Sequence, residues 1–264
     1  MNAAQALILD SHVHLDMITS YHPEKRDWLI AHNCHVISWS FFENITTVSH
    51  LKACLKSKAQ CIQTHIDGGL ACRYLAGVHP RSIPEDLKPE HLPSLLMPYL
   101  EDPLCLGMGE IGLETGDERE QELFMAQLEL GASAGVPGKV IGVHTPRTNK
   151  PAVTLKTLDL LKPFTNLNHS LVIDHCTPET IPWILKAGFW AGVTLSPMKT
   201  SLEEITAIVS AHADHLGRIM CNTDSGSVFF DDLVRFRHTS KLPETDLSRL
   251  TRKNAACFFG WPKL

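Results

Sequence analysis

The sequence predicts a (β/α)8 TIM barrel. Short apolar runs recur eight times along the 264 residues, most of them apolar on both faces, as buried parallel strands are. Amphipathic stretches of helical period fall between them. No Gly-x-Gly-x-x-Gly follows the first run, so the rival doubly wound open sheet lacks its main signal. A chain of this length suits one α/β barrel, and residues 1–264 are expected to form a single (β/α)8 domain.

The elements follow in order. Residues 6–10 form the first strand, an apolar run leading straight into Ser-His-Val-His. Residues 34–40, 72–78 and 104–110 supply the next three. The clearest helix spans 118–134, with Leu123, Phe124, Ala126, Leu128 and Leu130 in helical rhythm. Residues 139–144 are the fifth strand, and Pro151 suits the first turn of the helix behind it. Residues 171–174 are the sixth. Thr177-Pro178-Glu179 reads as an N-cap followed by proline at the first helical position. Residues 189–195 and 218–222 complete the strands, with helices at 202–212, 227–237 and about 245–259.

Composition narrows the function. At 44% hydrophobic and 20% charged residues, the chain has enough apolar material for a sizeable core. A formal charge of −5 with no Lys/Arg run argues against an extended nucleic-acid groove. No apolar run approaches the roughly 20 residues that span a bilayer, and the first residues lack the basic and apolar regions of a secretory signal. The eight cysteines are scattered without a Cys-x-x-Cys pair, which reads as free thiols in a reducing compartment. A cytoplasmic location is therefore expected; the sequence carries no signal for oligomeric state.

Active sites of such barrels lie at the C-terminal ends of the strands. His12 and His14 end the first strand, two apart and so on one face. Gly77-Val78-His79-Pro80 ends the third, Glu110 the fourth, His144 the fifth, Asp174-His175 the sixth and Asn222-Thr223-Asp224 the eighth. His12, His14, Glu110, His144, His175 and Asp224 are all metal-ligand types, and such a set suits one or two divalent ions of zinc, manganese or iron. Glu110 is placed to bridge two ions, with glycines at 107, 109 and 112 leaving room around it. No thiolate joins the set, which argues against a structural zinc knuckle. Taken singly, each residue has an ordinary reading as a core, turn or ion-pair residue; the weight lies in their joint placement. Neighbouring strand residues face opposite sides, so only one of Asp174 and His175 is expected to point inward.

Residues 10–16 (Asp-Ser-His-Val-His-Leu-Asp), Gly77-Val-His-Pro80, Gly109-Glu-Ile-Gly-Leu-Glu114, Val143-His144 and Thr223-Asp224-Ser225 resemble, in order and spacing, the motif series of the TatD-related metal-dependent hydrolases of the amidohydrolase superfamily. The resemblance covers nearly the whole chain. It implies a barrel with one or two divalent metals and a metal-activated water acting on a small-molecule or short phosphodiester substrate. His12, His14 and Asp224 would bind one ion, His144 and His175 a second, and Glu110 would bridge them. Asp224 and Glu110 would carry the catalysis, with His79, Arg147 and Glu114 on the substrate side.

The departures also fall on that side. Glu114 and Thr115 stand where the family's nucleases usually have Asp and an aromatic residue. Arg147 comes one position late, behind Pro146, and Gly226 replaces the proline after the serine. Two alternatives remain: a TatD-type DNase, which these departures disfavour, and a non-haem dinuclear iron oxygenase, since histidines and carboxylates also suit iron. Residues 39–42 (Trp-Ser-Phe-Phe) are the best candidate for an apolar wall or lid.

Overall fold

The computed structural model describes residues 7–133 and 139–261. Eight parallel strands run in sequence order: β1 Ile8–Val13, β2 Cys34–Ser38, β3 Cys72–Ala76, β4 Cys105–Gly112, β5 Val140–His144, β6 Leu171–Ile173, β7 Trp190–Thr194 and β8 Ile219–Asn222. The seam between β1 and β8 is closed near the strand ends. Val13 bridges Ser225, His14 N donates to Ser225 O at 2.7 Å, and Asp224 N donates to His12 O at 2.9 Å. The His-x-His segment is thus part of the closure of a (β/α)8 barrel.

Alternation along the strands makes two cores. Leu9, Ile37, Leu75, Val140, Val172 and Met220 point into the barrel. Their neighbours Ile8, Val36, Tyr74, Ile141, Ile173 and Ile219 belong to the larger core under the helices. The helices are α1 Leu15–Tyr21, α2 Lys25–Ala31, α3 Val48–Asp67, α4 Leu92–Leu100, α5 Glu118–Ser133, α6 Lys150–Leu161, α7 Ile181–Lys186, α8 Leu202–Ala211 and α9 Asp232–Thr239. A terminal segment follows: α10 Glu244–Ser248, a π turn Arg249–Lys253 and α11 Asn254–Phe258. Ala255, Phe258 and Phe259 pack with the inward strand residues. They fill the end of the barrel where the strands begin and leave the other end for polar groups.

The strands match the sequence reading to within a few residues; Ala6 and Ala134 lie outside the described residues. Three helix readings are corrected. The helix expected from residue 227 begins at Asp232, because Ser225 Oγ accepts from Phe230 N at 3.0 Å and Gly226 N donates to Val228 O, holding 226–230 as a loop. The helix expected after Thr177 begins at Ile181, with Thr177–Thr180 as a turn whose Oγ1 of Thr180 accepts from Thr177 N. The closing helix is interrupted by the π turn. Among the described residues no helix is long and apolar enough to cross a membrane, and all eight cysteines are unpaired.

Candidate metal centre

The end of β1 is fixed by a buried carboxylate. Asp10 accepts hydrogen bonds from His12 N, Thr223 N and Thr223 Oγ1, the last at 2.7 Å, tying β1 to the end of β8. His12 is wholly buried. Its ring stacks on Trp39 at 4.0 Å, and Nδ1 lies 2.5 Å from Asp174 Oδ2. Asp174 is held in turn by Asn222 Nδ2, at 2.9 and 3.0 Å from its two oxygens. A carboxylate accepts only, so it fixes the proton of His12 on Nδ1 and leaves the Nε2 lone pair facing the barrel mouth. Nε2 is buried and makes no hydrogen bond, although Glu110 Oε2 lies at 3.2 Å and Asp224 Oδ1 at 3.5 Å.

Glu110 is the hub. Its Oε2 faces His12 Nε2 and, at 3.8 Å, His14 Nε2. Its Oε1 faces the other side, 2.6 Å from His144 Nδ1, 3.1 Å from His175 Nε2 and 3.6 Å from His79 Nε2. Asp224 Oδ1 lies 2.9 Å from His14 Nε2, and its Oδ2 lies 2.5 Å from Lys199 Nζ. Three groups of donor atoms lie close enough for a cation: His12–His14–Glu110, His12–Asp174–His175 and His79–Glu110–His144.

The electrostatics fit a cation. Burial acts to lower His12, but the Glu110 charge, the Asp174 hydrogen bond and Asp224 outweigh it and raise the imidazole to about 10. The carboxylates therefore call for positive charge at Nε2: a proton in the metal-free protein, and a cation once that proton leaves and the lone pair is exposed. Burial likewise opposes ionisation of Glu110, yet the surrounding histidines hold its carboxyl well below the usual range. Burial lowers His79 and His175 to about 4, which keeps both imidazoles neutral. A buried ring nitrogen without a partner, beside carboxylates held ionised, is the donor chemistry of a divalent metal site.

All six expected donors converge here. His79, expected on the substrate side, sits against His144 Nδ1 at 3.3 Å. Glu114 is also close in, its Oε2 2.9 Å from His144 Nε2. Arg147 is exposed at the mouth. Asp174 and His175 both point inward, contrary to the alternation argument, because His175 takes a left-handed conformation with φ 59°. The glycines beside Glu110 serve strand approach rather than space around the carboxylate: a Cβ at Gly107 would lie 2.0 Å from Val140 O, and one at Gly112 2.6 Å from His144 O. Trp39 is a buried support for His12 rather than a wall; within 39–42 only Phe41 lines the mouth. Lys199, on the loop after β7, was not expected at all. His14, Glu110, His144, His175, Asp224 and Lys199 line a cavity of about 290 Å³, with His12 buried behind them.

Residues 9–245 match the sequence profile of the family described as TatD related DNase. A relative from Methanocaldococcus jannaschii, named an uncharacterized metal-dependent hydrolase, is 26% identical over 237 residues, covering 85% of this chain and 86% of the relative. The crystal structure of a TatD-like protein from Archaeoglobus fulgidus superposes with a TM-score of 0.76 at 26% identity, over 96% of this chain and 99% of that one. A TatD homolog from Escherichia coli K12 shares the fold, with a TM-score of 0.64 at 18% identity, over 97% and 98% of the two chains.

Proposed function

The chain belongs to the TatD-related DNase family, and on that premise we propose that it is a divalent-metal-dependent hydrolase of a small-molecule or short phosphodiester substrate. The observation that carries the reading is the buried Nε2 of His12, which makes no well-aligned hydrogen bond and stands between the carboxylates of Glu110 and Asp224. In this proposal His12, His14 and Asp224 hold one ion and His144 and His175 a second. Glu110 serves both, since its two oxygens face the two histidine groups separately. A bound divalent ion there supplies Lewis acidity, lowering the pKa of water and polarising the scissile group.

The chain's own groups supply the rest. Burial opposes ionisation of Asp224, but the Lys199 ammonium and the His14 hydrogen bond hold its carboxyl well below the usual range. Asp224 is thus an ionised acceptor at the mouth, able to take the proton of the attacking water and return it to the leaving group. Asp174 keeps the His12 ring in register. His79 stands beside Glu110 and His144, where it donates to negative charge developing on the substrate. Arg147 and Glu114 contact the substrate from the β4–β5 side.

Metal analysis of protein purified without added metal tests the reading. It should be followed by assays of phosphodiesters, esters, amides and single-stranded DNA, with and without chelator. Chelator-sensitive hydrolysis supports it. Absence of bound metal, or O2 uptake by iron-loaded protein without hydrolysis, overturns it. The family's name favours DNA as a second reading, and cleavage of DNA in preference to every small ester would establish that one.

A further inference from the structure

The mouth of the barrel is divided by chemistry. Strand order places the ends of β3, β4 and β5 on one arc and those of β7, β8, β1 and β2 on the other. The first arc carries Arg81 and Arg147, both exposed at the cavity, on either side of Glu114. Among the described residues neither guanidinium has an ion-pair partner; Arg81 rests over the Phe41 ring at 5.0 Å. Glu114 is engaged by His144 and feels the Arg81 charge without a direct ion pair, so both arginines keep their forks for a ligand.

The second arc carries the apolar lining, beside His14, Glu43, Lys199 and Asp224. Met17, Phe41, Met198, Val228 and Phe230 line it. Met198 is 61% exposed and Val228 52% exposed, large apolar side chains left uncovered beside a polar centre. Lys199 adds no free charge, because its ammonium is taken up by Asp224. The exposed Glu43 on this arc repels an anion from it. Gly226 opens space within the arc: a Cβ there would stand 3.4 Å from His14 Cδ2 and 3.5 Å from Met17 Sδ. A larger side chain would fill the gap between the donor histidine and the methionine.

We infer that the substrate is a small amphipathic oxyanion, its carboxylate or phosphate held by Arg81 and Arg147 and its apolar end seated on the Met17–Val228–Phe230 side, with Gly226 setting how large that end can be. The inference rests on the hydrolase reading for what happens between the two ends. It is separable from that reading because recognition can be measured without bond breakage.

The test is calorimetric titration of metal-reconstituted protein with hexanoate, hexyl phosphate, 1-hexanol and hexyltrimethylammonium, and with the carboxylates from acetate to octanoate. Both anions should bind at least tenfold more tightly than the alcohol or the cation, and whichever anion is tighter identifies the headgroup. Affinity should rise about three- to fourfold per methylene until the apolar space is full. The double variant R81M/R147M, altered only at exposed side chains, should lose the anion preference and keep the chain-length dependence. G226L should shorten the longest chain that still gains affinity. Three results overturn the inference: an anion preference that survives R81M/R147M, which would place the anion on the metal alone; an affinity independent of chain length; or displacement of hexanoate by a single-stranded oligonucleotide at lower concentration than by octanoate. Failure here leaves chelator-sensitive hydrolysis standing, and failure of hydrolysis leaves these affinities standing.

Discussion

Asp174→Asn separates orientation of a donor from its presence. The substitution keeps the size of the side chain and removes one charge, leaving His12 in place. In the native protein both Asp174 oxygens accept: one lies 2.5 Å from His12 Nδ1, and both receive Asn222 Nδ2. An asparagine amide cannot satisfy both partners. If its oxygen faces His12, its NH2 meets the NH2 of Asn222, or that amide turns over and its NH2 loses its acceptor in turn, on the side where Asn222 Oδ1 has no partner. If its NH2 faces His12, the imidazole must carry its proton on Nε2, and the lone pair aimed at Glu110 is lost. Loss of such an orienting partner lowers metal affinity about 10- to 100-fold, equivalent to roughly 1.4–2.8 kcal/mol at 1.4 kcal/mol per decade. The assay is competition for zinc or manganese against a chelating dye, with circular dichroism to verify folding. The structure also prescribes the rescue: Asn222→Asp in the Asp174→Asn background restores an acceptor for the new NH2 and leaves the amide oxygen for His12. Native metal affinity in folded Asp174→Asn, or no recovery in the double variant, would refute the tautomer argument.

Asp224→Asn should lower turnover by about 10²- to 10⁴-fold, with circular dichroism and melting temperature near those of the native protein; full activity would remove Asp224 as the base. Burial lowers the Lys150 ammonium to about 8, so between about pH 8 and the ordinary lysine range the unfolded chain binds more protons and stability rises with pH. Denaturant unfolding at pH 8, 9 and 10 should show the native protein gaining stability relative to Lys150→Met, and parallel curves would refute the assignment. Cys34, Cys72, Cys105, Cys176 and Cys221 are buried, Cys54 and Cys61 half-buried and Cys257 exposed, and burial pushes the Cys72 and Cys105 thiols up to about 12. An aromatic disulfide reagent should therefore find one fast thiol in the native protein, abolished by Cys257→Ser, and eight after denaturation.

The strands were legible because each is a short buried run between polar segments, and the convergence of the six candidate donors was legible because a barrel brings its strand ends together. What escaped the sequence depends on backbone geometry and loop packing. Counting by twos allows only one of Asp174 and His175 inside, and the left-handed turn at His175 has no signature that such counting can see. A lysine on a loop reads as a solvated charge; Lys199 meets Asp224 only because the 196–200 loop folds back, with Ser196 N bonded to Thr200 O and Thr200 N to Thr194 O. Residues 227–231 have helix-like composition, but the Ser225 hydroxyl gives the backbone at Phe230 a local partner that competes with helix. Pro178 after Thr177 suggested a helix start three residues too early, since a threonine can as well open a turn.

Two of the proposed donors stand where the backbone leaves strand geometry. His175 has φ 59° and Asp224 φ 51°, a region costing non-glycine residues of order 1 kcal/mol or more and tolerated best by Asn, Asp and His. Each is held there from several sides. Lys150 Nζ donates to His175 O at 2.9 Å, and the next residue, Cys176, donates its N–H to Gly192 O. Asp224 N donates to His12 O, and its carboxylate lies between His14 and Lys199. The same residue types thus serve as donors and as turn formers, and the two demands select together. A β-branched residue at either position would remove a donor and meet a backbone it cannot easily adopt, so loss of the site and loss of stability should coincide. The six proposed donors also lie at the ends of β1, β4, β5, β6 and β8, so no short stretch of this chain carries the set. Unlike a zinc knuckle built on one hairpin, the proposed centre would form only once β1 has met β8, and cation binding should therefore be coupled to closure of the whole barrel.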